Sequence, residues 1–217
     1  MNLNFPLLDD SIPLKNMTIL ALEHPEVFSK ITYQIYEYND SSEIKIYDKK
    51  YNALKESDLL VVMDILGYSL NSASVLKLIY SDLEKQISDD PELKTHIERL
   101  SIELNELIKI ETFSHDLLLS TGEPTLLELL KMFNVKIDTQ YTNIFEKCLE
   151  IIQLFTYLPK KKLLVFVNVC SFFTLDEIQI LNEEVSLHNV KVLFIEPRQV
   201  YNVSQYVMDS DFCLIKR

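Results

Sequence analysis

The apolar run Leu59-Leu60-Val61-Val62-Met63 stops at Asp64, and three residues later comes Gly67, one of only two glycines in 217 residues. Beyond it the spacing of apolar residues turns helical for more than forty residues. A continuous apolar run of five is the pattern of a sheet strand covered on both faces. The stretch Asp58 to Tyr68 therefore reads as the place where a buried strand ends and the chain leaves for a separate helical lobe.

Elements of sheet type lie on both sides of that lobe. Thr18 to Leu22 is a short apolar run, and His24-Pro25-Glu26 opens a helix. Proline suits the first helical position, and an acid suits the positive end of the helix dipole. Phe28, Ile31, Ile35 and Tyr36 then recur at helical spacing. Glu43 to Tyr47 alternates as a half-exposed strand does. In the lobe, Asn71-Ser72 reads as a helix cap before the stripe Val75, Leu76, Ile79, Leu83 and Ile87. Ser88-Asp89-Asp90-Pro91 turns the chain into a second stripe, Leu93, Ile97, Leu100, Leu104, Leu107 and Ile108, which makes a helical hairpin. Ser114 to Thr125, holding Gly122 and Pro124, reads as a loop before a short helix, Leu126 to Phe133. Asn143 to Tyr157 is a further helix. Pro159-Lys160-Lys161-Lys162 then leads into the strongest strand, Leu163 to Val167. Thr174 caps a helix through Leu187, Val190 to Ile195 is a strand, and Phe212 to Ile215 reads as a last one. Strands alternating with helices predict an α/β fold with a mostly parallel sheet. The sheet domain is assigned to residues 1–65 and 138–217 and the α-helical lobe to residues 66–137.

The charge restricts the partners. There are 21 basic and 33 acidic residues, for a net −12. That opposes a simple nucleic-acid binder, whose phosphate contacts need a basic surface. The charge is uneven, however: ten acids and three bases lie between Asp89 and Glu128, so more than half of the excess sits in one segment. No run is long and apolar enough for a transmembrane helix, and the first residues, Met1 to Pro6, lack the basic and apolar regions of a signal peptide. Cys148, Cys170 and Cys213 are dispersed in apolar contexts and read as buried thiols in a reducing cytoplasm.

Enzyme chemistry finds little support. Gly67 and Gly122 are too far apart for a Walker A or GxGxxG loop, whose glycines let backbone N–H groups approach phosphates. The lysines at 160–162 precede a strand instead of following one. His24, His96, His115 and His188 lack metal-ligand spacing. Cys170-Ser171, after the strongest strand, is a conceivable nucleophile position, but no histidine is near it in sequence. No catalytic residue and no nucleotide are assigned.

Several segments together resemble the short-form Csn-two family, the non-nuclease adaptation protein of type II-A CRISPR-Cas systems. They are Asn4-Phe5 with Leu7-Leu8-Asp9, Asp64-Ile65-Leu66-Gly67-Tyr68 with Asn71-Ser72, and Leu76-Lys77-Leu78-Ile79 with Asp82-Leu83-Glu84. Ile144-Phe145-Glu146-Lys147 follows, then Lys160-Lys161-Lys162-Leu163-Leu164 with Phe166-Val167-Asn168, and Val192-Leu193-Phe194 with Glu196-Pro197-Arg198. The resemblance runs end to end. It implies a head with a degenerate P-loop-ATPase-like sheet and an α-helical leg, four chains forming a ring around double-stranded DNA, and calcium ions shaping the legs. It also implies sequence-independent threading of linear DNA from its ends. The partners implied are the two integration proteins and the large effector nuclease of spacer acquisition.

A ring would resolve the charge problem, because a few lysines per chain can focus their field into one channel. The candidates are Lys50, Lys55, Lys77, Lys131 and Lys136, with Lys15 and Arg198 behind them. The lysines at 160–162 read instead as a solvated strand flank. The family's calcium ligands come from an acid-rich loop, which here reads Ser114-His115-Asp116-Leu117-Leu118-Leu119-Ser120-Thr121-Gly122-Glu123-Pro124. Glu111, Asp116, Glu123 and Glu128 remain as metal candidates, too few for the six to eight oxygens calcium prefers. Weaker calcium dependence than in typical members is therefore expected. The rival readings are a scaffold that acts through protein contacts, DNA binding being secondary, and a phosphotransferase hidden in the sheet.

Overall fold

The computed structural model describes residues 1–217 and divides the chain into two compact units, Met1–Tyr68 with Gln140–Arg217, and Ser69–Thr139. The first unit holds strands β1 (Asn2–Asn4), β2 (Ile12–Pro13) and β3 (Met17–Leu22), helix α1 (Pro25–Tyr36), and strands β4 (Lys45–Tyr47) and β5 (Leu59–Val62). The second holds α2 (Ala73–Ser88), α3 (Pro91–Phe113) and α4 (Leu126–Met132). The chain then returns to the first unit with α5 (Ile144–Thr156), β6 (Leu163–Val167), α6 (Leu175–Leu187), β7 (Val192–Glu196), β8 (Tyr206–Met208) and β9 (Leu214–Lys216).

Six strands form the main sheet in the order β5-β6-β7-β3-β8-β9. All neighbours are parallel except β8 and β9. The fold is mixed α/β, and the four long apolar runs of the sequence become β5, β6, β7 and β3. On one face Leu20, Leu22, Val165, Leu193 and Ile195 join Val27, Ile31 and Ile35 of α1 in a single buried cluster. Alternate residues turn to the other face, where the Phe166 and Phe194 rings stack with centroids 5.2 Å apart. There α6 packs on β3 and α5 on α6. A separate antiparallel sheet, β2-β1-β4, adds Leu3, Ile12 and Ile46 to the first cluster.

Several expectations need correction. The strand read at 43–47 is shorter and belongs to the small sheet, because it pairs with β1 and not with the parallel strands. Leu60 and Val61 are only partly buried, since β5 is an edge strand. Tyr36 points to solvent, and Val27 takes its place on the inner face of α1. Ser72 is the N-cap of α2 but its side chain accepts no helix N–H; its hydroxyl lies 3.2 Å from that of Ser74. Cys213 is exposed, unlike Cys148 and Cys170. The apolar stripe of α3 forms but is only partly covered within the chain, and Asn105 is that helix's one buried residue.

With so few glycines, left-handed backbone falls to other residues. Asn134, Asn168, Asn189 and Asn202 adopt positive φ, as do Tyr51 and Phe212. Asparagine tolerates this region through its short polar side chain. Gly67 is needed for closeness instead: a Cβ there would lie 2.4 Å from Asp64 Oδ2. Asp64 holds the turn by accepting the Leu66 N–H at its Oδ1 (2.9 Å) and the Tyr68 N–H at its carbonyl (3.0 Å).

Candidate nucleic-acid interface

The five lysines nominated from sequence are all exposed, and none of their ammonium groups forms an ion pair or hydrogen bond within the chain. They fall in both units. Lys50 and Lys55 belong to the sheet-bearing unit. Lys50 sits in the turn after β4, where the Asp48 carboxylate accepts N–H groups from Lys50 (2.7 Å) and Asn52 (2.9 Å). Lys55 precedes β5, and its N–H donates to Asp58 Oδ2 at 2.9 Å.

Lys77, Lys131 and Lys136 gather at one end of the helical unit, where α2 begins and α4 ends. The reason is a pinned segment. Asn71 bonds both the N–H (2.8 Å) and the carbonyl (3.0 Å) of Ile137, and the Tyr80 hydroxyl donates to the Val135 carbonyl at 2.8 Å. With Val135 and Ile137 turned inward, Lys136 between them is left in solvent. Of the two residues behind the candidates, Arg198 follows β7 and Lys15 precedes β3, at opposite ends of the parallel strands.

The four acids nominated for metal do not assemble. Glu111, Asp116 and Glu123 are exposed. Glu128 Oε2 accepts the Thr125 N–H (2.7 Å) and hydroxyl (2.8 Å) in a capping box that starts α4, and those bonds hold its carboxyl below the usual range. No three His, Cys, Asp or Glu side chains converge as a metal requires. These residues do not fit a resident calcium ion within one chain.

Two buried charges escaped the sequence reading. Lys147, 4% exposed, points its ammonium at the Leu66 carbonyl (2.7 Å) and lies 5.1 Å from the centre of the Tyr141 ring. Its one sequence signal is its place on the apolar stripe of α5, four residues before Ile151. Glu196, 2% exposed, accepts the N–H groups of Val169 (3.0 Å) and Cys170 (2.9 Å) at one oxygen. Successive N–H groups after a left-handed residue, here Asn168, make a concave anion site; the chain fills this one with its own carboxylate. Burial raises the Glu196 carboxyl above its ordinary range despite those two donors. Burial, with Glu196 beside it, also pushes the Cys170 thiol well up. That keeps it protonated and a poor nucleophile. No helix is long and apolar enough to cross a membrane.

Known proteins resemble this arrangement. A solved structure, the crystal structure of Stu0660 of Streptococcus thermophilus, matches 95% of this chain and 74% of its own with a TM-score of 0.58 at 11% identity, a likeness of fold alone. The family model for CRISPR-associated protein (Cas_Csn2) matches residues 37–212. CRISPR-associated protein Csn2 of Streptococcus agalactiae is 46% identical over 99% of this chain and 97% of its own. Csn2 of Enterococcus faecalis is 44% identical over 99% and 98%. Likeness of that depth over nearly every residue of both chains leaves one conclusion: this chain belongs to the Csn2 family of CRISPR-associated proteins.

Proposed function

We propose that this chain binds linear double-stranded DNA without sequence preference, as a homotetrameric ring loaded from DNA ends, in support of spacer acquisition in type II-A CRISPR immunity. It performs no chemistry of its own. Its partners are the integration proteins and the large effector nuclease. The head is a degenerate relative of the P-loop ATPases, a reading supported by the mostly parallel sheet; the β3-to-α1 passage of only Glu23 and His24 is too short to hold a phosphate loop. The observation that carries the proposal is a family membership spanning the chain together with five exposed lysines free of internal partners. In a chain of net charge −12, such lysines hold a polyanion only when several copies turn them toward one lumen.

The test compares linear duplex with the same sequence as a covalently closed circle. Binding to the linear form alone, weakening steeply with salt, is the expected result. Equal binding to closed circles refutes end-loading. A second reading, a scaffold acting mainly through protein contacts, is favoured by one observation: α3 exposes Leu100, Leu107, Ile110 and Phe113, apolar surface of the kind other chains cover. Reversing the charge of Lys77 and Lys131 separates the two, because a scaffold keeps its function.

A further inference from the structure

Strands β5, β6, β7, β3 and β8 run parallel, so their first residues share one edge of the sheet. That edge is cationic. Lys160, Lys161 and Lys162 stand immediately before β6, Lys191 immediately before β7, and Lys15 two residues before β3. Adjacent strands are about 4.8 Å apart, so β6, β7 and β3 bring these lysines within roughly 10 Å along the edge. The turn at 48–52 folds over the same edge. Pairing of Asn2 with Tyr47 sets Met1 beside Asp48, the Leu14 N–H donates to the Met1 carbonyl at 2.8 Å, and Lys191 Nζ donates to the Leu14 carbonyl at 3.3 Å. Lys49 in that turn comes close enough that its charge, after burial, holds the Lys191 ammonium below the ordinary lysine range.

Of the acids at this edge, exposed Glu56 lies before β5 near Lys161, and Asp48 and Asp58 are engaged. Asp48 holds its own turn through the Lys50 and Asn52 N–H groups, and Asp58 pairs with Lys162 at 3.1 Å. The opposite edge has the other balance: β3 runs into Glu23, β5 is followed by Asp64 and β8 runs into Asp209, against the single cation Arg198 after β7. Ligands of open α/β sheets usually sit at the carboxyl ends of the strands; here that end repels an anion and the other attracts one. The row from β6 to β3 is all lysine. Lysine is a point charge without arginine's planar fork for carboxylates, which suits a phosphate backbone followed without reading its sequence.

We propose that this amino-terminal edge of the sheet is a contact surface for the phosphate backbone of duplex DNA, carried by Lys15, Lys49, Lys160 and Lys191 and distinct from the helical-unit lysines Lys77, Lys131 and Lys136. It rests on the DNA-binding reading above and extends it to a second set of residues. It also gives the lysines at 160–162 a role beyond that of a solvated strand flank.

The test uses the full chain and a short fluorescent linear duplex, with affinity measured by anisotropy across a salt series. The edge variant is Lys15→Gln/Lys49→Gln/Lys160→Gln, chosen because those ammonium groups hold no partner in the fold; an unchanged thermal midpoint verifies this. The comparison variant is Lys77→Gln/Lys131→Gln/Lys136→Gln. Each phosphate contact removed lowers the slope of log affinity on log salt by about 0.9, or about eight-fold in affinity at 0.1 M salt. The expected result is a slope two to three contacts shallower in the edge variant. Native slope and affinity in the edge variant, with loss only in the comparison variant, overturn the inference and leave the DNA-binding reading intact. Native protein that fails to bind duplex at all overturns both. An edge variant whose sedimentation changes without DNA assigns the surface to a second copy instead, and the inference falls.

Discussion

Replacing Glu196 with alanine is the sharpest test of how the sheet-bearing unit is held together. One oxygen of this carboxylate satisfies two backbone N–H groups, those of Val169 and Cys170, at 3.0 and 2.9 Å. Alanine leaves both donors buried and unpaired, at about 1–3 kcal/mol each. The expected loss is therefore about 2–6 kcal/mol, against a stability of about 5–15 kcal/mol for a typical folded domain. Equilibrium unfolding in urea, followed by circular dichroism, measures it. Glutamine keeps an acceptor of the same shape and loses only charge assistance while relieving the burial of an anion, so its cost is smaller. The pH dependence separates the two forces. Burial raises the Glu196 carboxyl above its ordinary value of 4.5, so the folded state holds this proton more tightly than the unfolded state. The resulting stabilisation is complete below about 4.5 and is lost as pH rises through the folded value. The stability difference between native protein and Glu196→Gln must therefore shift against the native protein between acid and neutral pH. An alanine variant within about 0.5 kcal/mol of native, or a native–glutamine difference independent of pH, refutes the reasoning.

Three further outcomes are expected. Gly67→Ala drives a Cβ to 2.4 Å from Asp64 Oδ2 and costs about 1 kcal/mol by displacing the carboxylate that holds the Leu66 N–H; in an Asp64→Ala background the cost shrinks, and an additive cycle disproves the coupling. Lys147→Met keeps the apolar stem but loses a charged bond to the Leu66 carbonyl, at about 1.5–3 kcal/mol in denaturant unfolding; native stability in this variant contradicts the role given to the ammonium. Calcium titrated into the protein in a calorimeter gives only weak binding, and tight uptake of several ions per chain rules out the eroded-loop reading.

What could be read from the chain depended on how local the deciding forces are. Strands β3, β5, β6 and β7 of the main sheet announce themselves as apolar runs, and caps such as Thr174 with Glu177 are visible because both partners lie within one turn. Strands β1, β2 and β8 carry no such signal: they have two or three residues each and exist only through pairing with distant segments. Periodicity likewise marks α3 as a helix but says nothing about whether another element covers its stripe. The same limit governs the candidate interface. A lysine's outward or inward direction is a tertiary fact, so Lys77 and Lys147 look alike in sequence, yet one is free and the other is buried on a carbonyl. The anion site filled by Glu196 joins residues 26 and 27 positions apart and was invisible for the same reason.

The strand order also bears on how the protein is made. β3, synthesised early, lies between β7 and β8, which are made late, with only β9 after them. During synthesis its apolar edges must wait through the emergence of nearly the whole polypeptide, whereas Ser69–Thr139, being continuous, closes its own contacts on the way. Pairing across such separations is slow and leaves unpaired edges open to misassociation. The nascent chain thus carries a half-built sheet until its final strands arrive, and that interval is when the protein most needs the protection of chaperones.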